Sequence, residues 1–538
     1  MNQLQQPPRQ NWGTRLGVIL AVMGSAVGLG NFLRFPGLAA QYEGGAFMIP
    51  YFIALLLLGL PIAWVEWTMG RYGGARGHNS PPGIFRAIWK SPVAPYVGAL
   101  SALVPVIIYM YYIHLEAWCL GYAWKYLTGD MAAQMAAARG GDNPPAVSVL
   151  MDFTGMAEDG HLFTKPWSTA LLFLIISFVL NFVLIYRGVN KGIEWFAKIA
   201  MPALAVCALI ILVRVLTLGA PLEDQPERNV INGLGFMWNP NWAALKDTNL
   251  WVDATGQIFF SLSVGFGLIV TYASYVKKRD DIALSATTSA SGNELCEVAL
   301  AGMMIIPAAF IFVGPEALKA TEGSGLRIGF MALPGVFDKM PAGWFFGFLF
   351  FFLLFIAAVT SSLSMLQPTI AMLEEGLGLG RKASVALLGF ITAIGAGFIA
   401  YFSQDPGPLS TFDFWIGSFA LYVLATIMVL IFGWAMGIGK GYEELMRGAE
   451  IRIPRAVMYL IKYVSPVYLI VRLVLWFYQQ ALVTEQGKTN KVQALFTDGR
   501  VQMAVGFILL VGLLFMMLVN RSVARWKRIE QQQTEVSV

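Results

Sequence analysis

Gly24-Ser25-Ala26-Val27-Gly28-Leu29-Gly30-Asn31 places three glycines and an asparagine in the middle of an apolar stretch long enough to cross a bilayer. A second stretch, Phe259-Phe260-Ser261-Leu262-Ser263-Val264-Gly265-Phe266-Gly267, puts two serines and two glycines in a similar setting. Taken singly, each run reads equally as helix packing, since Gly24 and Gly28 form a GxxxG pair that lets helices approach closely. Taken together, the two runs predict two interrupted membrane helices, because unwound backbone at the midplane is tolerated only where it lines a cavity. Carbonyls freed by such a break bind cations, and freed helix N-termini attract an anionic group such as a carboxylate. Gly28-Leu29-Gly30 lacks the third glycine and the preceding strand of a nucleotide-binding fingerprint, so that reading falls away.

The remaining sequence supports a membrane setting. Hydrophobic residues make up 57% of the 538 and charged residues only 13%, against about 25% charged in soluble proteins. A crossing helix needs about 20 apolar residues. Candidate spans fall near 15–38, 46–70, 95–126, 168–186, 193–217, 247–275, 282–313, 344–373, 383–402, 412–438, 456–480 and 501–520. This predicts an all-α integral membrane protein of twelve transmembrane helices, a single transporter domain over 1–538. The breaks open the first and sixth spans. That spacing suggests two inverted five-helix repeats, 15–217 and 247–438, followed by two extra helices over 456–520 and a cytoplasmic tail over 521–538. Twelve spans put both termini on one side. The basic loops, among them Arg71, Arg76, Arg86 and Lys90, then Lys277, Lys278 and Arg279, mark that side as cytoplasmic. Segments 127–167 and 218–246 read as external loops too short to bury cores of their own.

Other classes recede. The net charge of +5 is spread in short clusters between apolar runs, unlike a nucleic-acid stripe. Cys119, Cys207 and Cys296 lie apart in apolar stretches and read as core packing, with no metal spacing. The three histidines form no HExxH, and no nucleophile–base pair or nucleotide loop suggests an enzyme. Residues 1–14 are polar and the first apolar run carries Arg34, so no cleavable signal peptide is expected.

Longer motifs now become recognisable. Asn11-Trp12-Gly13-Thr14-Arg15-Leu16-Gly17 with Gly28-Leu29-Gly30-Asn31-Phe32-Leu33-Arg34-Phe35-Pro36 resembles the first-helix signature of neurotransmitter:sodium symporters. Glu43 to Tyr51 and Glu66 to Tyr72 resemble the second helix, Gly256 to Gly267 the sixth, and Thr360-Ser361-Ser362 the eighth. The chain looks like the bacterial leucine-transporter type within that family, across nearly its whole length. The resemblance implies sodium-driven symport of a neutral, hydrophobic amino acid, with two Na+ ions as the bound cations. It also implies a multi-pass protein of the bacterial inner (plasma) membrane, a monomer or homodimer with the lipid bilayer as its other partner and no nucleic acid.

The resemblance also implies a site. Monoamine carriers of the family place an aspartate where this chain has Gly28, so here the substrate's own carboxylate would complete a sodium site. The first sodium site would use the Ala26 carbonyl with Asn31, Ser261 and Asn293. The second would use carbonyls of Gly24, Val27 and Ala357 with the hydroxyls of Thr360 and Ser361. Both sets are all-oxygen, as a hard cation requires. Leu29, Gly30 and Tyr112 would hold the substrate carboxylate, with Ser25, Phe260 and Ser263 at its amino group and backbone. Ile108, Phe266 and Met365 would line the side-chain pocket, and Ala26, Ser261 and Ser361 would border it. An outer gate would pair Arg34 with Asp413 beneath an aromatic lid of Tyr112 and Phe260. An inner gate would pair Arg9 with Glu375 near Trp12 and Tyr275. Glu297, surrounded by Tyr51, Gln257 and Ser261, would replace the chloride of chloride-dependent relatives and allow proton antiport. Glu66 and Glu116 read as hydrogen-bonded structural groups. The rival readings are a channel or sensor with the same fold, and a symporter for GABA or a betaine-like solute.

Overall fold

The break expected at Gly24–Asn31 is present in the computed structural model, which describes residues 12–164, 169–319, 324–404, 407–483 and 490–537. Helix Arg15–Ala26 starts at Thr14, whose hydroxyl oxygen accepts the Gly17 N–H at 3.0 Å. It stops where Val27 turns extended, with φ −71° and ψ 94°. The chain resumes as Gly30–Gln41, inclined by 47° to the first half. Its opening turn, Gly30–Arg34, is wound with π geometry, a form that recurs at functional positions in helices.

The second break lies between helices Thr248–Ser261 and Leu268–Ala273. Ser263, Gly265 and Gly267 all carry positive φ, at 52°, 88° and 80°. Ser263 bears the strain, since an L-residue with a Cβ in this region costs about 1–2 kcal/mol. Gly267 is required for space as well, because a Cβ there would lie 2.3 Å from the Ser101 side chain.

Among the described residues every regular element is helical. Ten further helices have the length and apolar character to cross a membrane: Gly45–Gly74, Ala94–Thr128, Thr169–Tyr186, Val189–Leu216, Ile282–Phe312, Gly343–Leu377, Arg381–Tyr401, Pro408–Met446, Ala456–Gln479 and Gly499–Gln532. The bent pair around Gly28 adds an eleventh. The expected sixth span, 247–275, does not add a twelfth on length alone, because its break leaves two short pieces. Several helices outrun their apolar runs. Pro408–Met446 exceeds the expected 412–438, and the last helix continues through the expected tail to Ser537, since Arg and Lys there favour helix. The expected loop segments carry short helices, Asp130–Ala137, Pro145–Thr154 and Val230–Trp238.

Gly343–Leu377 and Ala94–Thr128 pack along each other at the centre, with 83% and 78% of their apolar windows buried. Gly499–Gln532, at 28%, is peripheral and turns Leu509, Leu510 and Leu513 outward, as lipid contact requires. Several buried acids are held by named partners. Glu116 accepts from Asn181 Nδ2 at 3.0 Å and Ser362 Oγ at 2.6 Å. Glu194 takes the Gly13 N–H at 2.7 Å, the Thr14 hydroxyl at 2.9 Å and Lys198 Nζ at 2.7 Å, fixing the start of the first helix. Arg71 pairs with Glu444 at 2.9 Å in a fully buried bridge that also holds the Asp280 and Arg447 carbonyls. The three cysteines are free and buried, in keeping with core packing.

Candidate functional site

Both breaks open onto one cavity of about 350 Å3, within the ~300–1,000 Å3 of ordinary ligand sites. Its walls combine Ser25, Ala26, Leu29 and Gly30 from the first break, Phe260, Ser263 and Phe266 from the second, Ile108 and Tyr112 from Ala94–Thr128, and Ser361 and Met365 from Gly343–Leu377. Every residue expected to contact a substrate lies here, except Ser261, which sits just behind the wall.

The backbone at Gly28 is pinned on two sides. A Cβ there would lie 2.8 Å from Ser361 Oγ and 3.2 Å from Tyr112 Oη. The Leu29 N–H donates to Tyr112 Oη at 3.4 Å. Ser263 Oγ donates to the Ser25 carbonyl at 2.9 Å, so the strained residue of one break is bonded to the other break. Glu66 supports the same turn, since its carboxylate accepts the Gly265 N–H at 2.5 Å. Ile108, Phe266 and Met365 give the cavity an apolar end, joined by Leu115 and Phe330, which the sequence reading did not name.

Two oxygen clusters flank the cavity. Asn31 Nδ2 donates to Asn293 Oδ1 at 2.9 Å and to Glu297 Oε2 at 3.1 Å, while Asn31 Oδ1 accepts the Gly28 N–H at 2.8 Å. Asn293 Nδ2 donates to Ser261 Oγ at 2.6 Å, and Ser261 in turn donates to Glu297. Asn31, Ser261 and Asn293 therefore meet in one place, with Glu297 among them. On the other side, Thr360 Oγ1 donates to the Ala357 carbonyl at 2.8 Å, and Ser361 Oγ lies 3.2 Å from both the Ala357 and Ser25 carbonyls. Gly24 abuts Thr360, with room for a Cβ only 3.3 Å from Thr360 Cβ, and Val27 stands at the break itself. The back-bonding of Thr360 and Ser361 into their own helix is thus real and coexists with their position beside the break.

One expected contact is corrected. Arg34 and Asp413 both reach the cavity but form no ion pair. Asp413 accepts from Tyr111 Oη at 2.8 Å, and the Arg34 guanidinium lies 5.0 Å over the Phe260 ring. Phe260 in turn covers Gly30, where a Cβ would touch the ring at 2.6 Å. Tyr51 lies against Glu297 as expected and also donates to Glu294 Oε2 at 2.5 Å, while Gln257 Nε2 donates to Glu297 at 2.5 Å. Glu294 lies one turn before Glu297, and this i, i+3 pairing of acids was the signal available in the sequence. Trp12 sits against Tyr272: its Nε1 donates to the Tyr272 carbonyl at 2.9 Å and the rings meet edge to face. Tyr275 accepts from Gln367 at 2.8 Å. Arg9 lies outside the described residues. Glu375, its expected partner, is held by His78 at 2.7 Å and by the backbone N–H groups of Asn79 and Ser80.

The cavity is continuous from Ser25 up to Arg34, Leu409 and Asp413, whereas Trp12, Tyr272 and Gln367 are packed beneath it. Two broken helices that meet at one cavity are the arrangement of a secondary transporter. A model of the sodium:neurotransmitter symporter family matches residues 9–139 and 166–526, and the chain belongs to that family, a family of membrane transporters rather than enzymes. It is 29% identical over 476 residues to an uncharacterised sodium-dependent transporter of Methanocaldococcus jannaschii, covering 86% of this chain and 89% of the relative. It is 27% identical to the sodium-dependent serotonin transporter of Drosophila melanogaster, covering 71% of this chain and 62% of that one. Among solved structures it matches MhsT in complex with L-phenylalanine, with a TM-score of 0.71, 27% identity, and coverage of 87% of this chain and 99% of MhsT.

Proposed function

We propose that this protein imports a neutral, hydrophobic amino acid across the bacterial inner membrane by alternating access, driven by two sodium ions, independently of chloride and with proton return on Glu297. The observation that carries the reading is the crowding at Gly28. Gly28 brings no carboxylate of its own to the cavity, and a Cβ there would already lie 2.8 Å from Ser361 Oγ and 3.2 Å from Tyr112 Oη, which supports a substrate that supplies its own carboxylate. The Leu29 and Gly30 amides and the Tyr112 hydroxyl would receive it. The apolar end formed by Ile108, Phe266 and Met365 suits an uncharged side chain, and the structural relative MhsT holds L-phenylalanine.

Asn31, Ser261 and Asn293 with the Ala26 carbonyl would form one sodium site. Thr360 and Ser361 with carbonyls of Gly24, Val27 and Ala357 would form the other. The meeting of both breaks on one cavity supports the inverted-repeat reading of 15–217 and 247–438. With the basic loops and termini cytoplasmic, the open end at Arg34 and Asp413 faces outward. The carboxylate of Glu297, beside the first ion set, takes the place of an external anion. Two ions moving down a tenfold gradient release about 1.4 kcal/mol each, and a potential near 100 mV adds about 2.3 kcal/mol per charge. The sum of roughly 7 kcal/mol supports about a 10⁵-fold amino-acid gradient. Proton return would reduce the electrical share.

The test is binding of a panel of amino acids to the purified protein with and without sodium. Sodium-dependent binding of a neutral set, lost in Asn31→Ala and in Thr360→Ala, supports the assignment. Sodium-independent binding, or none, moves betaine-like solutes and the sensor reading ahead.

A further inference from the structure

A second and larger cavity, of about 500 Å3, opens far from the substrate site, at the end of the molecule that carries the basic loops. It is lined by Tyr72 and Arg76 at the end of helix Gly45–Gly74, by Arg86 in the last turn of the short helix Pro81–Ile88 with Trp89 and Lys90 just after it, and by Glu530 from the last helix. Three cations face one carboxylate. Both guanidinium groups sit over aromatic rings. Arg76 lies 3.3 Å over Tyr72 and donates one N–H to its carbonyl at 3.0 Å, and Arg86 lies 5.6 Å over the buried Trp526. A guanidinium has five N–H donors, so each keeps donors for an anion beyond these contacts. His78 at the rim is held by Glu375 and does not compete.

We propose that this cavity binds a phosphate group, and that the group is the headgroup of an anionic phospholipid. Planar, pre-positioned guanidiniums with a nearby ammonium match the charge and geometry of a phosphate. The height of the cavity selects a lipid. Lys90, Ser91 and Pro92 form its wall, and the next residues enter the membrane helix Ala94–Thr128. Val93, between them, is exposed and apolar. The cavity therefore lies at the bilayer surface, where basic clusters meet anionic headgroups. Glu530 now occupies one arm of Arg86 at 2.7 Å, but its side chain is 61% exposed, so this is a surface pair that a phosphate can displace. The last helix thus supplies an internal competitor for the lipid.

The test titrates the full-length protein in detergent with phosphatidylglycerol, phosphatidylcholine or inorganic phosphate, reading bound molecules by native mass spectrometry together with the melting temperature. Phosphatidylglycerol is expected to bind and raise Tm, and phosphatidylcholine to do neither. The double variant Arg76→Gln/Lys90→Gln should weaken phosphatidylglycerol binding roughly thirtyfold, at about 1 kcal/mol per cation near a headgroup. Glu530→Gln should tighten it. An unchanged size-exclusion profile and unchanged sodium-dependent substrate binding would show that the variants fold. Equal phosphatidylglycerol affinity in wild type and double variant overturns the site. Inorganic phosphate binding that is lost in the double variant, without preference for phosphatidylglycerol over phosphatidylcholine, overturns the lipid as source and assigns the cavity to a soluble phosphate compound. Binding of neither overturns the proposal entirely.

Discussion

The carboxylate of Glu66 accepts the backbone N–H of Gly265 at 2.5 Å, inside the break that separates Thr248–Ser261 from Leu268–Ala273. One side chain of the second long helix therefore holds the turn that shapes the substrate cavity. Glu66→Gln keeps an acceptor and should retain sodium-dependent binding. Glu66→Ala orphans a buried N–H, a loss of about 1–3 kcal/mol, and should lower both Tm and substrate affinity. Equal binding by the two variants would show that the turn holds itself.

Gly28→Ala should abolish amino-acid binding. The added methyl would sit 2.8 Å from Ser361 Oγ and 3.2 Å from Tyr112 Oη, where the substrate carboxylate is proposed to lie. Overpacking of this kind costs about 1–3 kcal/mol, so the folded protein should survive. Isothermal titration with and without sodium checks it. Binding within threefold of wild type, about 0.65 kcal/mol by the usual conversion, would remove the argument for a carboxylate-bearing substrate.

Asn31→Ala should raise the sodium concentration needed for half-maximal binding by roughly 10–100-fold, the value of a hydrogen bond to a charged group, about 1.5–3 kcal/mol. Glu297→Ser removes the carboxylate that Asn31 and Ser261 share. Uptake by that variant in proteoliposomes should require chloride, while wild-type uptake should not. A wild type that stops when chloride is replaced by gluconate would end the chloride-independent reading.

Tyr111→Phe frees Asp413 from its present hydroxyl partner. With the substrate bound, Asp413 is expected to turn to Arg34 and close the outer end. The variant should then bind substrate at least as tightly as wild type, and an Asp413→Asn variant should release it faster. Dissociation rates from stopped-flow measurements separate the two. Identical rates in all three proteins would make the Asp413 contact purely structural.

Outside the membrane, the Asn241 amide and then Lys319 hold the Glu43 carboxyl below its ordinary value of 4.5. The sign follows from the lowered value. The contribution is complete above the ordinary range and fades as pH falls through the folded value. Both side chains are partly exposed, 40% for Glu43 and 31% for Lys319, so it should be under about 1 kcal/mol. The Tm difference between wild type and Lys319→Ala should be small at pH 7 and shrink below pH 4.5. A difference that grows on acidification would contradict this pairing.

Much of this site was legible because it depends on residues that membrane helices otherwise avoid. Three glycines with Asn31, and Ser263 with Gly265, can be located without coordinates, since their presence at midplane depth demands a cavity. Family resemblance then brought Tyr112, Ser361 and Met365 to the same place from distant helices. What the sequence hid were choices between equivalent partners. Tyr51 had two acids one turn apart, and its hydroxyl donates to Glu294 while facing Glu297. Asp413 had Arg34 and Tyr111 within reach and took the hydroxyl. Trp12 found the Tyr272 carbonyl, a backbone acceptor that no side-chain pattern reveals. Helix ends also escaped, because Arg521 to Lys527 extend a helix as readily as they end an apolar run.

The segments 26–30 and 262–267 offer the cavity main-chain carbonyls and amides that their helices have released. Such a surface is nearly invisible to point mutation, because no side-chain substitution deletes a carbonyl. Alanine scanning would report on the serines and Asn31 and leave any backbone share of the proposed ion and substrate recognition unmeasured. An ester in place of a single amide, introduced at Leu29 or Gly30, reaches that share directly. On the proposed reading, drift in the surrounding side chains would retune the preferred substrate while the recognition of its carboxylate end stays fixed.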